Sequence, residues 1–148
     1  KPHAWFISTV KIFYFLFDYS IGYLLKIRPL LFQSIFVIFD RYYHDILVDP
    51  KRYRYGGSMR LARWIGKLIP KPGIVILLDA PPEVLQSRKQ EVPFEETARQ
   101  RLAYLDLVKE MKNGVVIDAS QPLDKVVADT NKVILDYMAK RTKKHVGF

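Results

Sequence analysis

The chain has 148 residues, 49% of them apolar and 14% aromatic, which is enough for one domain with a real core and excludes a disordered segment. Its net charge of +9 suits a polyanionic ligand (nucleotide, nucleic acid or acidic membrane) as well as a merely soluble basic surface. It contains no cysteine, so it has no disulfide framework and no thiolate metal site, as fits a cytoplasmic protein.

Residues 4–27 read as a helix, with Lys11, Asp18, Gly22 and Lys26 in one narrow polar stripe and aromatic and aliphatic residues elsewhere. A helix apolar on nearly all sides is expected to be buried between layers. Its charges break the apolar run well short of the ~18 residues a membrane span needs, so no membrane partner is expected. Pro29 ends or restarts the helix.

Residues 34–39 (Ser34-Ile35-Phe36-Val37-Ile38-Phe39) form a short apolar run that reads as a buried strand. Asp40 and Arg41 sit on its carboxyl end, where open α/β sheets place their ligands, and Tyr42 follows. A carboxylate beside a guanidinium can serve a metal-bound phosphate and a second phosphate; it can equally be a structural ion pair closing the strand.

Residues 41–57 read as a loop or broken helix. Arg52 and Arg54 alternate there with Tyr53 and Tyr55. Arginines grip phosphate bidentately and tyrosines stack on bases, but a solvated loop with its aromatics turned inward has the same pattern. Gly56-Gly57 either lets backbone approach a ligand or makes a plain turn. His44, beside Asp45, is read as locally hydrogen-bonded, since no spacing suggests a zinc site.

Ser58 is placed to cap a helix through Leu68, with Leu61, Ile65 and Leu68 inward and Arg60, Arg63 and Lys67 outward. After the Pro70-Lys71-Pro72-Gly73 turn, Ile74 to Asp79 read as a second buried strand, with Asp79 structural. Pro81-Pro82-Glu83 begins a helix that ends near Arg88-Lys89 and is interrupted at Val92-Pro93. Residues 95–111 form another helix, whose Arg99 and Arg101 are weaker site candidates. Asn113-Gly114 turns into a third strand, Val115-Val116-Ile117-Asp118. Ala119-Ser120-Gln121-Pro122 leads into a last helix with Leu123, Val126, Val127, Thr130, Val133, Ile134, Tyr137 and Met138 inward. The basic tail, 140–148, reads as a frayed solvated end.

Buried strands separated by helices mean an α/β fold, with a parallel sheet flanked by helices in three layers and right-handed crossovers. A single domain over 1–148 is expected.

Three blocks carry a family resemblance: Phe39-Asp40-Arg41-Tyr42; Leu77-Leu78-Asp79-Ala80-Pro81-Pro82-Glu83-Val84 with Arg88 after it; and Val116-Ile117-Asp118-Ala119-Ser120-Gln121-Pro122. In order and spacing they resemble the thymidylate kinase-like group of P-loop nucleoside monophosphate kinases. The resemblance implies a P-loop kinase-like sheet and phosphoryl transfer from ATP to a phosphorylated acceptor, with Mg²⁺ held at Asp40. It implies catalytic roles for Asp40, Arg41 and Arg88. Arg41, Tyr42, Arg52, Arg54 and Tyr55 would bind the acceptor. A lid at about 88–95 would bring Arg88 and Lys89 over ATP, and Ser120 and Gln121 would line its adenine unless Ser120 only caps the last helix.

The sequence departs from the group's pattern at three points. It has no Gly-x-x-x-x-Gly-Lys-Ser/Thr loop, so it reads as a C-terminal fragment, or a degenerate relative, of a sheet whose phosphate-loop strand is missing. Asp18 is followed by Tyr19 where the group has an arginine. The segment after Tyr42 is replaced, which leaves the acceptor open. The fragment alone is expected to be nearly inactive and poorly stable, with exposed strand edges. Its partners are small-molecule nucleotides, with a homodimer as one assembly. Two other functions fit the same residues: a non-catalytic nucleotide-binding or regulatory module, and a basic nucleic-acid-binding protein recognised by steep salt dependence.

Overall fold

The computed structural model describes residues 4–146, and side chains as far as 143. The chain divides into two compact units, Lys1–Lys71 and Pro72–Phe148. It is an α/β structure with a small parallel sheet flanked by helices. No described helix is long and apolar enough to cross a membrane.

In the first unit, α1 (Trp5–Gly22) passes through a π-helical turn (Tyr23–Ile27) into α2 (Arg28–Phe32). Pro29 stands in the first turn of α2, directly after the π-helical turn, so the helix runs on through the proline rather than ending at it. The expectation that this helix is buried all round is wrong. Only Ser8 and Ile12 of α1 are buried, while Phe6, Phe13 and Phe17 face solvent. Lys11, expected on a solvated stripe, turns inward and donates to the Tyr53 carbonyl at 2.6 Å.

The strand expected over 34–39 is absent. Ser34 takes a left-handed φ of 60° in the turn after α2, and residues 35–39 join no ladder. A strand exists only through pairing, and among the described residues this run pairs with no other segment; Ile38 stays 75% exposed. Short α3 (Asp45–Val48) follows, then α4 (Met59–Leu68), whose first turn is capped by Ser58 Oγ accepting from the Leu61 N–H. Ala62, Ile65 and Gly66 of α4 and the adjoining Ile69 point inward with Ile12, Ile46 and Tyr43. Leu68, expected in that stripe, is exposed.

In the second unit, β1 (Val75–Asp79) and β2 (Gly114–Asp118) pair in parallel, from Val75 opposite Gly114 to Asp79 opposite Asp118. The crossover runs through α5 (Pro82–Arg88) and α6 (Phe94–Lys109). Gly114 is required where β2 begins, because a Cβ there would stand 2.3 Å from the Val108 carbonyl oxygen. The closing helix α7 runs Leu123–Val146. Val126 is buried and Thr130, Val133, Ile134 and Tyr137 half-buried on its inner side, but Leu123, Val127 and Met138 are exposed. The tail read as frayed is helical from 140 to 146; Gly147 and Phe148 lie outside the described residues.

Candidate functional site

In the first unit, candidate residue Arg41 is set against Asp45. Arg41 adopts φ 81°, a left-handed conformation that costs a non-glycine residue energy and is held only where the surroundings demand it. Its Nη1 donates to Asp45 Oδ2 at 3.3 Å. The carboxylate is nearly buried and the guanidinium 44% exposed, so the pair anchors a cation that still faces solvent. Asp40, beside it, is exposed.

The segment 50–57 is folded by local chemistry. The Arg52 N–H donates to Asp49 Oδ1, and the Arg54 and Tyr55 N–H groups donate to the carbonyls of Lys51 and Pro50. Arg54, at φ 48°, is a second left-handed residue, and Arg52 and Arg54 both face solvent. Helix α1 ties this loop down at two points, through Lys11 to the Tyr53 carbonyl and through buried Ser8, whose Oγ accepts from the Gly56 N–H at 2.9 Å.

Burial raises the Tyr53 phenol above its ordinary pKa, with Asp45 adding to the rise and Arg41 and Arg52 opposing it. Tyr53 of this loop therefore lies within electrostatic reach of the Arg41–Asp45 pair. Tyr42 packs edge-on against Tyr19, its hydroxyl donates to the Pro70 carbonyl, and burial pushes its pKa up to about 12. Tyr55 is buried, and its hydroxyl donates to the Ser58 carbonyl. Its ring turns inward, while Lys51, Arg52 and Arg54 of the same loop are exposed. His44 sits against the rings of Tyr42 and Tyr43; burial, with Lys71 adding, holds its pKa below the usual 6.5.

This unit also carries most of the charge. Twelve of the 24 basic residues but only four of the 15 acidic ones fall in Lys1–Lys71, leaving it eight of the nine net positive charges. Such a surface attracts polyanions. Among the described residues no cluster of three or more His, Cys, Asp or Glu can hold a metal. One exposed carboxylate, as at Asp40, fits a Mg²⁺ whose other ligands are phosphates and water, and does not fit a metal caged by protein.

In the second unit the carboxyl ends of the parallel strands are closed by their own chemistry. Arg101 of α6 clasps Asp79 in a fork, Nε to Oδ1 at 2.7 Å and Nη2 to Oδ2 at 2.8 Å. Asp118 accepts from the N–H and the hydroxyl of Ser120, which hold its pKa below the usual carboxylate range. Ser120 is thus spent on an Asx turn after β2 and does not cap α7. The Gln121 amide donates to the Asp118 carbonyl. Arg88 ends α5 and is exposed, and Lys89 pairs with Glu91 at 2.6 Å. The loop 89–93 is tied back by Gln86, whose amide donates to the Val92 carbonyl and to Thr97 Oγ1. Arg99, in contrast, pairs with Glu96 along its own helix.

With Asp40-Arg41, the Arg88 loop and the Ser120 turn in this order along the chain, the thymidylate kinase family model matches residues 8–130. The chain belongs to the thymidylate kinase family. A probable thymidylate kinase of Archaeoglobus fulgidus is 35% identical over 136 residues, covering 84% of this chain and 65% of that relative. A second, from Saccharolobus solfataricus, is 35% identical over 127 residues, covering 79% and 61%. A third, from Staphylothermus marinus, is 28% identical over 120 residues, covering 76% and 59%. The chain thus spans 59–65% of the length of these curated relatives.

For this family member, sequence reasoning named Arg41 but missed Asp45 as its partner, although the four-residue spacing was a usable signal. It also missed Ser8 and Lys11 as the posts of the 50–57 loop. Their three-residue spacing marks one helix face, but the surrounding aromatics hid which face turns inward.

Proposed function

We propose that this chain is the acceptor-and-lid part of a nucleoside monophosphate kinase that acts on dTMP or a related monophosphate, with ATP as donor, in the cytoplasm. The observation that carries the reading is Arg41, held in a left-handed conformation against nearly buried Asp45 with its guanidinium still half in solvent. Backbone strain of this kind concentrates at functional sites.

In this reading Arg41 grips the acceptor phosphate bidentately, and Arg52 and Arg54 extend the cationic cradle. Tyr42 and Tyr55 serve the acceptor by fixing the two loops that bear those arginines. An oxygen of the acceptor phosphate attacks the γ-phosphorus of ATP, and the bond from that phosphorus to the β,γ-bridging oxygen breaks, giving ADP and a nucleoside diphosphate. Asp40 would hold Mg²⁺, which neutralises phosphate charge when bound. Arg88 and Lys89 belong to a lid at about 88–95 that closes over ATP and excludes water. Ser120 and Gln121 present backbone to the adenine.

The finer architecture follows: one partial domain over 1–148 with a basic tail at 140–148, belonging to a three-layer sheet completed by a phosphate-loop strand. A homodimer is the expected assembly, favoured by the exposed apolar face of α1.

The test is Arg41→Ala in the complete gene product. Loss of the phosphate grip should lower kcat/KM for the acceptor by about 10²-fold or more, with the KM for ATP nearly unchanged. Unchanged acceptor kinetics would remove Arg41 from the site.

A further inference from the structure

The outer face of α4 carries a pattern that neither the core nor the 50–57 loop uses. Arg60, Arg63 and Lys67 form a basic row along it, and Trp64 and Leu68, 53% and 51% exposed, lie beside that row. Steps of three and four residues put all five on one side of the helix. Ala62, Ile65 and Gly66 point the other way, into the core.

The second unit neutralises exposed helical cations locally, pairing Arg99 with Glu96 and Lys125 with Asp129. Helix α4 does not. Between Asp49 and Asp79 the chain has seven lysines and arginines and no acid. Among the described residues no carboxylate pairs with Arg60, Arg63 or Lys67. The row therefore presents uncompensated positive charge, the complement of a polyanion. The apolar pair beside it narrows the partner: an indole ring favours the boundary between water and lipid, and a leucine has no use in water.

We propose that this face of α4 lies against the anionic surface of a lipid bilayer. Arg60, Arg63 and Lys67 meet headgroup phosphates, and Trp64 and Leu68 enter the boundary beneath them. The apolar side of α4 is committed to the core, so the helix rests on the bilayer without sinking into it, and the contact is reversible. Such contact needs no spanning helix, and none is described. A nucleic-acid strand is held in a basic groove with successive aromatic platforms. The outer side of α4 is a ridge with one ring, and Leu68 cannot stack on a base. The proposal stands apart from the kinase chemistry, which the preceding reading places at Arg41 and the 50–57 loop.

The experiment is co-sedimentation of the complete gene product with vesicles of phosphatidylcholine, with and without one-third phosphatidylglycerol. Wild type should bind only the anionic vesicles and should leave them as salt is raised. Arg63→Gln and Lys67→Gln should each weaken binding about fivefold, the loss expected for one cation at an anionic surface. Trp64→Ala should weaken it severalfold. In Trp5→Phe protein, where Trp64 is the sole tryptophan, emission should shift to the blue on anionic vesicles alone. All four residues are exposed, so unchanged thermal midpoints should accompany these effects. Equal binding to both vesicles, or to neither, would overturn the proposal. So would vesicle binding that survives the α4 substitutions and is lost in Arg52→Ala/Arg54→Ala protein. Tighter binding to a single-stranded oligonucleotide than to anionic vesicles at equal phosphate would overturn it in favour of nucleic acid.

Discussion

Arg101 fastens α6 to the end of β1 by laying its guanidinium fork along both oxygens of Asp79, at 2.7 and 2.8 Å. The arrangement makes the aspartate at the carboxyl end of β1 a structural staple between strand and helix. Arg101→Lys keeps the charge and loses the fork, while Arg101→Ala loses both. Thermal unfolding should show both midpoints lowered, Ala more than Lys, with Asp79→Asn adding little to Arg101→Ala. Full additivity would contradict the staple.

Ile65 is fully buried in the first unit, and Leu68, one turn further along α4, is 51% exposed. Ile65→Ala should cost about 2–5 kcal/mol in denaturant unfolding. Leu68→Ala should stay within about 0.5 kcal/mol. Equal losses would mean that α4 is rotated from the orientation described.

Burial, with Lys71 adding, depresses the pKa of His44. The unfolded chain therefore takes up this proton more readily than the folded one. The contribution of neutral His44 is fully present above its unfolded value near 6.5 and is lost as pH falls through the folded value. Urea midpoints measured at about pH 7.5 and about pH 5 should diverge less for His44→Gln than for wild type. The same divergence in both would show that His44 is solvated.

Gln86 ties the loop 89–93 to the start of α6 through Val92 and Thr97. Gln86→Ala removes two hydrogen bonds from a partly exposed site, a net loss of roughly 1–2 kcal/mol. Amide exchange over 89–93 should quicken severalfold while that of β1 and β2 stays unchanged. Exchange unaffected in the loop would mean that Gln86 does not restrain it.

The second unit was legible from local pattern: β1 and β2 within a residue, α5 stopping at Arg88, and a break at Val92-Pro93. Continuous apolar runs, prolines and the Asn113-Gly114 turn act over short range. The first unit was less legible, because its uncertain features depend on partners. Residues 34–39 have a strand's composition but pair with no segment among the described residues, and α1 is so uniformly apolar that its pattern could not reveal its inner face. The motif around Asp40 and Arg41 was visible in the sequence. Its anchor, Asp45, and the left-handed backbone of Arg41 and Arg54 were not, since neither residue is a glycine or asparagine that would announce a positive φ.

The central claim is phosphoryl transfer to an acceptor monophosphate. The most direct test is to incubate the complete gene product with ATP, Mg²⁺ and a panel of nucleoside monophosphates including dTMP, and to separate the products by ion exchange. The account predicts one nucleoside diphosphate formed in step with ADP, and no ADP without acceptor. ADP released equally with and without every acceptor, or no diphosphate from any of them, would contradict it.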